Sequence, residues 1–285
     1  MLAWLFWNPP REAFTIPFLN LPVMWYGVLF AMGFIVGYFI FLGLLKRYFY
    51  STAGCQNDIK NLSVFVADKV TVIMVLATLI GARLGHVLFY DDLQPYLLRP
   101  WKIFMLREGG LASHGAAIAI IAALIFLARY FRRKKINLSW LSLLDLIAIP
   151  TACAAVFIRC GNFINQEILG RPTIAPWAVV FLSPADGSMP IARHPAQLYE
   201  ALAYLLIFGL LLFLSYRRRF LWRSGLLIGL LLALVFSARF IVEFFKEEQS
   251  VYLGGSALCM GHYLSLPFII LGLILLLPSY RVKTL

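Results

Sequence analysis

A short polar run in the second half of the chain combines residue types that bind anions. Within thirteen residues it carries two arginines, two asparagines and one glutamate, with glycines at two positions. An arginine guanidinium matches the geometry of a phosphate, and amide side chains can donate to the remaining oxygens. We therefore predict a site for an anionic head group here. The run is Arg159, Cys160, Gly161, Asn162, Phe163, Ile164, Asn165, Gln166, Glu167, Ile168, Leu169, Gly170 and Arg171.

Other ionisable residues lie within or beside apolar stretches, where a charge at a helix centre costs about 2.5 to 3.5 kcal/mol and marks a functional candidate. His114 stands in a glycine-rich run, residues 109–115, where backbone can approach a ligand closely. Arg239 and Glu243 are four residues apart, so they either serve a site or neutralise each other. A single outward-facing polar cavity would satisfy the whole set. Its further candidates are Arg83, His86, Arg159, Arg193, His194 and Glu200.

The residues between these candidates are mostly apolar and define the elements that must position them. Hydrophobic residues make up 62% of the 285-residue chain and charged residues 13%, which excludes an ordinary soluble domain. Because a bilayer core needs roughly 20 apolar residues in a helix, seven stretches predict membrane spans. The fold prediction is an all-α polytopic membrane protein with one domain, 1–285, in which the polar run is an irregular segment after the fourth span. The predicted spans are 22–45, 62–90, 112–131, 138–158, 196–216, 225–245 and 261–279.

The net charge of +12 has two interpretations, a nucleic-acid partner or the positive-inside rule of membrane proteins. Position decides between them, because 14 of the 25 lysines and arginines follow the first, third, fifth and seventh spans. This bias predicts an N-terminus outside the cell membrane and a C-terminus in the cytoplasm. Nucleic acid is not needed to explain the charge, so we predict no nucleic-acid partner.

Cysteine usage gives no support to metal or dithiol chemistry, because no two cysteines are closely spaced. We therefore predict neither a metal nor a cofactor. Glycine pairs such as Gly81 and Gly85 would let helices approach closely, but this pattern says little about function. The four cysteines are Cys55, Cys153, Cys160 and Cys259.

The polar run resembles the signature of bacterial prolipoprotein diacylglyceryl transferases, whose core is Arg-x-Gly-Asn-Phe-x-Asn-x-Glu-x-x-Gly. Other segments resemble the same family in the same order, from about residue 20 to 270. The chain departs from the family pattern at Ile158, Ser113 and Ala116, and none of these changes deletes a charged group. The other matching segments are Trp25-Tyr26-Gly27, Gly81-Ala82-Arg83-Leu84-Gly85, His114-Gly115, Arg193-His194-Pro195-Ala196-Gln197-Leu198-Tyr199-Glu200, Arg239-Phe240-Ile241-Val242-Glu243-Phe244 and Leu264-Ser265-Leu266-Pro267.

This resemblance implies the transfer of a diacylglyceryl group from phosphatidylglycerol to the lipobox cysteine of a preprolipoprotein. The products would be a thioether-linked lipoprotein precursor and glycerol phosphate. The reaction would be the first step of lipoprotein maturation. It would take place at the outer face of the bacterial inner membrane, with the lipid bilayer as a further partner.

The implied reaction sets two tasks, deprotonation of the thiol and stabilisation of the departing phosphate. We expect Arg159 and Arg239 to hold the phosphate, and Glu243 to orient Arg239. His114 is the candidate general base, and His194 is its rival. The remaining candidates for binding phosphatidylglycerol are Tyr26, Arg83, Asn162, Glu167, Gly170 and His194.

Three other classes of membrane protein are alternatives to the enzyme that the resemblance implies. A seven-span retinal protein needs a Schiff-base lysine in its last span, and residues 261–279 contain none. A secondary transporter would have inverted repeats and sites at the membrane midplane, whereas these polar residues cluster toward one side. A non-catalytic lipid-binding relative stays open, and an assay for the thioether product separates it from the enzyme.

Overall fold

Helices dominate the computed structural model, which describes residues 4–18, 20–52, 58–89, 91, 94–104, 112–217, 224–247 and 258–277. Seven of the helices in these ranges are long, and the short helix α3 is followed by a 3-10 turn at Pro100–Phe104. In chain order the helices are α1 (Trp25–Thr52), α2 (Ile59–Phe89), α3 (Gln94–Leu98), α4 (Ser113–Arg133), α5 (Trp140–Asn165), α6 (Ala196–Ser215), α7 (Leu226–Glu243) and α8 (Met260–Leu276).

The long helices match the seven predicted spans one by one. Within the described residues, six of them are long and apolar enough to cross a membrane. The seventh, α8, is apolar and has 17 residues, which at 1.5 Å per residue gives about 26 Å of helix. The predicted all-α polytopic membrane fold is therefore confirmed. The orientation of the termini stays a prediction.

Two helices continue beyond the ends predicted from hydropathy. α1 continues to Thr52 rather than ending near residue 45, and α5 continues to Asn165 rather than ending near residue 158. The hydropathy of the residues predicts where the apolar segment ends. The helix itself can continue beyond that point when its polar side chains are hydrogen-bonded or ion-paired. The first half of the polar run, residues 159–165, is therefore helical, and the prediction of an irregular segment is wrong there.

Five short strands, which the sequence analysis did not predict, lie between and before the helices. They are β1 (Leu5–Trp7), β2 (Glu12–Ile16), β3 (Leu21–Met24), β4 (Val179–Phe181) and β5 (Ala192–Arg193). β1 pairs in parallel with β4, β4 pairs antiparallel with β5, and β2 and β3 form an antiparallel hairpin. Each strand has two to five residues, too few for an alternating pattern to identify it.

The three-stranded sheet is anchored on the C-terminal end of α5. Trp7 in β1 donates a hydrogen bond of 3.0 Å from its indole N–H to the carbonyl of Phe163, and the two ring centres lie 4.6 Å apart with the planes tilted by 32°. Phe163 also packs with Leu169, Val179 and Phe181, which are all buried. The sheet therefore fixes the position at which the polar run leaves the helix.

The chain forms two compact units, and the first comprises residues 1–41 and 145–285. Within it, α7 packs on α6 and on α8. Asp145 of α5 accepts hydrogen bonds from the backbone N–H groups of Gly225, at 2.6 Å, and Ile228, at 2.9 Å. These bonds satisfy amides that the first turn of α7 would leave unpaired, so Asp145 caps a neighbouring helix.

The second unit comprises residues 42–144, and its main contact joins α2 and α4. The two helices touch at glycines: a Cβ on Gly85 would lie 2.6 Å from the Cα of Gly115, and a Cβ on Gly81 would lie 2.6 Å from the Gly115 carbonyl oxygen. Close backbone approach of this kind is what small residues permit between membrane helices. The prediction that the whole chain is one domain stays a prediction.

Candidate active site

The polar run begins as the last turns of α5 and then folds back on itself. Gln166 and Ile168 adopt left-handed backbone conformations, with φ of 55° and 57°. The N–H of Glu167 donates to the carbonyl of Asn162 at 3.0 Å. This tight reversal returns the Glu167 side chain to the helix that precedes it.

Arg159, Asn162 and Glu167 form one hydrogen-bonded chain on this turn. Arg159 Nη1 donates to Asn162 Oδ1 at 3.1 Å, and Asn162 Nδ2 donates to Glu167 Oε1 at 3.0 Å. The carbonyl of Glu167 accepts a bond of 2.7 Å from Gln197 Nε2, whose side chain is fully buried. Three of the predicted site residues therefore lie together, and Gln197 of α6 holds the Glu167 backbone in place.

A fully buried carboxylate, Glu200 of α6, lies beside this chain and carries two cations. Its Oε2 is 2.8 Å from Arg159 Nε, and its Oε1 is 3.0 Å from Lys246 Nζ. The Tyr204 hydroxyl donates to Oε1 at 3.3 Å. A charge with 0% exposure is tolerated only when paired and hydrogen-bonded, so these contacts are the condition for burying Glu200.

Lys246 connects this carboxylate to the end of α7 and to the end of the polar run. Its Nζ lies 3.2 Å from Glu243 Oε2, in addition to its contact with Glu200. Its backbone forms a bridge with Gly170, and its carbonyl accepts a bond of 2.9 Å from Arg171 Nε. Because Lys246 is 6% exposed, it belongs to the interior of the site rather than to a solvated loop.

Arg239 and Glu243 do not form the expected pair, so the expectation that Glu243 orients Arg239 is wrong. Glu243 turns instead to Lys246, three residues further on, and its carboxylate lies against Gly261. Arg239 is half-buried, with its guanidinium 5.9 Å from the centre of the Phe236 ring. Among the described residues it forms no hydrogen bond or ion pair, so its donors are available to a ligand.

Tyr26 lies at the start of α1, next to the same turn of α5. A Cβ on Gly161 would lie 2.9 Å from Cδ2 of its ring, so a glycine at this position leaves room for the phenol. The half-buried side chain lies within electrostatic reach of Arg159 and Glu167. The structure thus brings Tyr26 to the site residues of the polar run.

His194 and Gly170 contact each other on the far side of the polar run. A Cβ on Gly170 would lie 2.8 Å from the His194 Cβ, and the N–H of His194 donates to the carbonyl of Arg171 at 3.0 Å. The imidazole Nδ1 is 3.0 Å from the hydroxyl of Tyr199. The role of Gly170 is therefore to let the His194 segment approach closely.

The buried Arg193 fixes the loop between β4 and β5 to this region. Its guanidinium donates to the carbonyl of Gly170 at 3.3 Å and to the Ser188 hydroxyl at 3.2 Å, and it pairs with Glu247. In the same loop, hydrogen bonds from Ser188 and the nearby Arg193 charge hold the pKa of Asp186 below its usual value. Arg193 therefore has a structural role here, since both of its Nη atoms bond to the protein, while its buried Nε has no hydrogen-bond partner within the described residues.

Three residues predicted for the polar cavity, Arg83, His86 and His114, lie in the unit of residues 42–144. Arg83 is buried, and its guanidinium donates to the carbonyls of Ile103, at 2.9 Å, and Lys102, at 2.8 Å. These bonds hold the turn that follows α3 in place, so Arg83 has a structural role. His114 is exposed at the first turn of α4, next to Gly115, where α2 and α4 touch.

From the sequence alone, Lys246 and Tyr204 are not candidates for the site, and Glu200 is only a polar candidate. A usable signal exists for two of them, because Tyr204 follows Glu200 by four residues on one helix face. Lys246 lacked such a signal, since its contact with Glu200 is long-range. The sequence also offers two possible partners for Glu243, Lys246 three residues after it and Arg239 four residues before it.

The assembled site is suited to bind an anion. Arg159 and Lys246 are paired with Glu200 and Glu243, whereas Arg239 has no ion-pair partner within the described residues. Such a group stabilises a negative charge strongly in surroundings that exclude water. The part of the chain that the structure describes holds no cluster of three or more His, Cys, Asp or Glu residues suited to a metal ion.

Comparisons with known proteins point to one family. A family model described as prolipoprotein diacylglyceryl transferase matches residues 11–278. The chain is 39% identical to a protein of Protochlamydia amoebophila, over 96% of this chain and 94% of the relative. It is 40% identical to a protein of Tolumonas auensis, over 98% of this chain and 99% of the relative. Both relatives are named phosphatidylglycerol–prolipoprotein diacylglyceryl transferase.

Proposed function

The chain belongs to the prolipoprotein diacylglyceryl transferase family, and we propose that it transfers the diacylglyceryl group of phosphatidylglycerol to the lipobox cysteine of preprolipoproteins. The chain is a multi-pass membrane protein. Its proposed location is the bacterial inner membrane, with the active site toward the outer leaflet. The observation that carries the proposal is the half-buried Arg239, unpaired within the described residues. Like Arg159, it lies within electrostatic reach of Tyr204, whose hydroxyl bonds to the buried Glu200.

In the proposed reaction the sulfur of the lipobox cysteine attacks the glycerol carbon that carries the phosphate. A carbon–sulfur bond forms, the carbon–oxygen bond to the phosphate breaks, and its electron pair stays on the phosphate oxygen. The thiol proton passes to a base, for which His114 stays the candidate. Glycerol phosphate leaves, and the protein substrate keeps the lipid through a thioether.

The magnitudes favour stabilisation of the leaving group over activation of the thiol. A free thiol with a pKa of about 8.5 is already a few per cent thiolate at neutral pH, so complete ionisation gains about thirtyfold, or roughly 2 kcal/mol. An arginine that stabilises a transferring phosphoryl group contributes about 10³ to 10⁵ in rate. Arg239 therefore has the larger proposed effect, and Arg159 assists it.

The side chains around the two arginines shape the proposed head-group pocket. Asn162 and Glu167 hold the Arg159 side of it through their hydrogen bonds. Tyr26 closes the pocket next to the turn of α5. Glu243 acts through Lys246, which leaves Arg239 without a counter-ion among the described residues.

The decisive experiment is an assay of the purified protein in phosphatidylglycerol proteoliposomes with a lipobox peptide. We expect a mass increase of the peptide by the diacylglyceryl group and a stoichiometric release of glycerol phosphate. A peptide in which serine replaces the lipobox cysteine is the control and should stay unmodified. Lipid binding without product would contradict the enzyme and favour a non-catalytic lipid-binding protein.

A further inference from the structure

The imidazole of His194 is held in place by aromatic side chains just before α6. Its Nδ1 lies 3.0 Å from the Tyr199 hydroxyl, which accepts a hydrogen bond of 2.7 Å from Trp177 Nε1. Phe245 packs edge-on against the imidazole and the phenol, with ring centres 5.2 and 5.9 Å away. The ring orientation is thus set by packing, and Nδ1 faces one defined partner.

Proton counting along Trp177, Tyr199 and His194 favours one tautomer of the imidazole. An indole N–H can only donate, so the Tyr199 oxygen accepts from Trp177 and keeps its own proton to donate. Among the described residues, His194 Nδ1 is the acceptor within reach of that proton. A neutral imidazole whose Nδ1 accepts carries its hydrogen on Nε2. On this ground we assign the Nε2–H tautomer to His194.

We propose that neutral His194 donates a hydrogen bond from Nε2 to a phosphate oxygen of phosphatidylglycerol and takes up no proton during the reaction. Its Nδ1 lone pair is occupied by Tyr199, and its Nε2 has no protein partner among the described residues. His194 is half-exposed, and its backbone and Cβ lie against Gly170 at the end of the polar run, where a ligand can reach the ring. Tyr199 and Trp177 are positioning residues that act through the imidazole.

This inference rests on the proposed function and separates two expectations for His194, lipid binding and general-base catalysis. A base needs a free lone pair at the nitrogen that meets the thiol proton. The Nε2–H tautomer offers a hydrogen at the accessible nitrogen instead. The structure therefore favours His194 as a binding residue and leaves His114 as the candidate base.

Amide substitutions test the donor role, because a Gln amide places an N–H near the position of Nε2 but cannot accept the thiol proton. We expect His194→Gln to keep the KM for phosphatidylglycerol within about threefold of wild type. His194→Asn reaches only the position of Nδ1, so it and His194→Ala should raise that KM about tenfold, as expected for one hydrogen bond to a charged group. The thioether assay supplies these values.

A second measurement needs no activity. Nitrogen-15 spectra of the protein labelled at its four histidines report which ring nitrogen carries the hydrogen, and His194→Gln assigns the signal. We expect an Nε2–H imidazole in wild type and a mixture of tautomers in Tyr199→Phe. Tyr263→Phe, which alters an exposed phenol of α8, is the matched control and should leave the His194 signal unchanged.

The outcomes separate this inference from the proposed function. A His194→Gln protein that loses kcat as completely as His194→Ala, or an Nδ1–H signal in wild type, would overturn the donor role. A wild-type protein that forms no thioether would overturn the proposed function. In that case the nitrogen spectrum still decides the tautomer, because it is recorded on wild-type protein without substrate.

Discussion

At the scale of single residues, the two arginines expected to hold the phosphate have different surroundings. Arg159 is buried, with Nε paired to Glu200 and Nη1 bonded to Asn162. Arg239 is half-buried and has no hydrogen bond or ion pair within the described residues. Removal of Arg159 therefore leaves the buried Glu200 and Asn162 without one of their partners. Removal of Arg239 breaks no hydrogen bond or ion pair among the described residues.

Arg239→Ala should lower kcat for thioether formation by about 10³, because one charge on the leaving phosphate goes unstabilised, while the thermal unfolding temperature stays near that of wild type. Arg159→Ala should lower both, since Glu200 then keeps a buried charge with one partner fewer, at a cost of about 3 to 5 kcal/mol. Initial rates and thermal unfolding in detergent check both variants. Equal loss of stability in the two would contradict the distinction.

Glu200→Gln should destabilise the protein by about 3 kcal/mol, because it leaves Arg159 and Lys246 as buried cations without their shared counter-ion. Chemical denaturation gives the difference, with Glu12→Gln on the exposed hairpin as the control. Adding Lys246→Met removes one of the two cations, so the double variant should lose less than the sum of the single losses. Strict additivity would show that Glu200 and Lys246 are not coupled.

The candidate site was partly predictable from the sequence. Arg159, Asn162 and Glu167 occur within one run, and local geometry alone brings them together. The pairing of Glu243 with Lys246 rather than Arg239 was not predictable, because spacings of three and four are both compatible with a helix face. The choice depends on Glu200, which lies on another helix and meets Lys246 only in the folded chain.

At the scale of elements, helix existence follows from composition, but helix ends and short strands do not. A membrane span needs a long apolar run, and such a run can be recognised directly from the amino-acid sequence. Arg159 in the last turns of α5 pairs with Glu200 of α6, and the pairing of β1 with β4 joins segments far apart in the chain. Both are tertiary contacts, which periodicity within a short window does not encode.

Gly85→Ala tests whether the contact between α2 and α4 requires glycine. A Cβ at this position would lie 2.6 Å from the Cα and 3.0 Å from the N of Gly115, so the helices must separate, at a cost of about 1 to 3 kcal/mol. Gly43→Ala on α1 is the matched control, because its Cβ would meet nothing within 4 Å. Unfolding experiments on both should show a loss for Gly85→Ala alone, and an equal response would refute the packing role.

At the scale of the whole molecule, the net charge of +12 divides into two groups of cations. Fourteen of the 25 lysines and arginines follow alternate predicted spans and are explained by topology. Several others are inside the protein, where Arg159 and Lys246 are held by carboxylates and Arg83 by backbone carbonyls. Of these cations, Arg159, Lys246 and Arg83 thus have specific protein partners, whereas Arg239 forms no hydrogen bond or ion pair within the described residues.

The same charge distribution predicts that the loop between β4 and β5 faces the outside and the loop after α4 faces the cytoplasm. Met189 and Lys134 are exposed in these two loops, so cysteines placed there report on the two sides. In intact spheroplasts, a membrane-impermeant thiol reagent should label Met189→Cys and should label Lys134→Cys only after permeabilisation. The unmodified chain, whose Cys153 and Cys259 are buried, gives the background. The reverse labelling pattern would contradict the predicted topology. It would also contradict an active site toward the outer leaflet, because Met189 lies only five residues before His194, which directly follows β5.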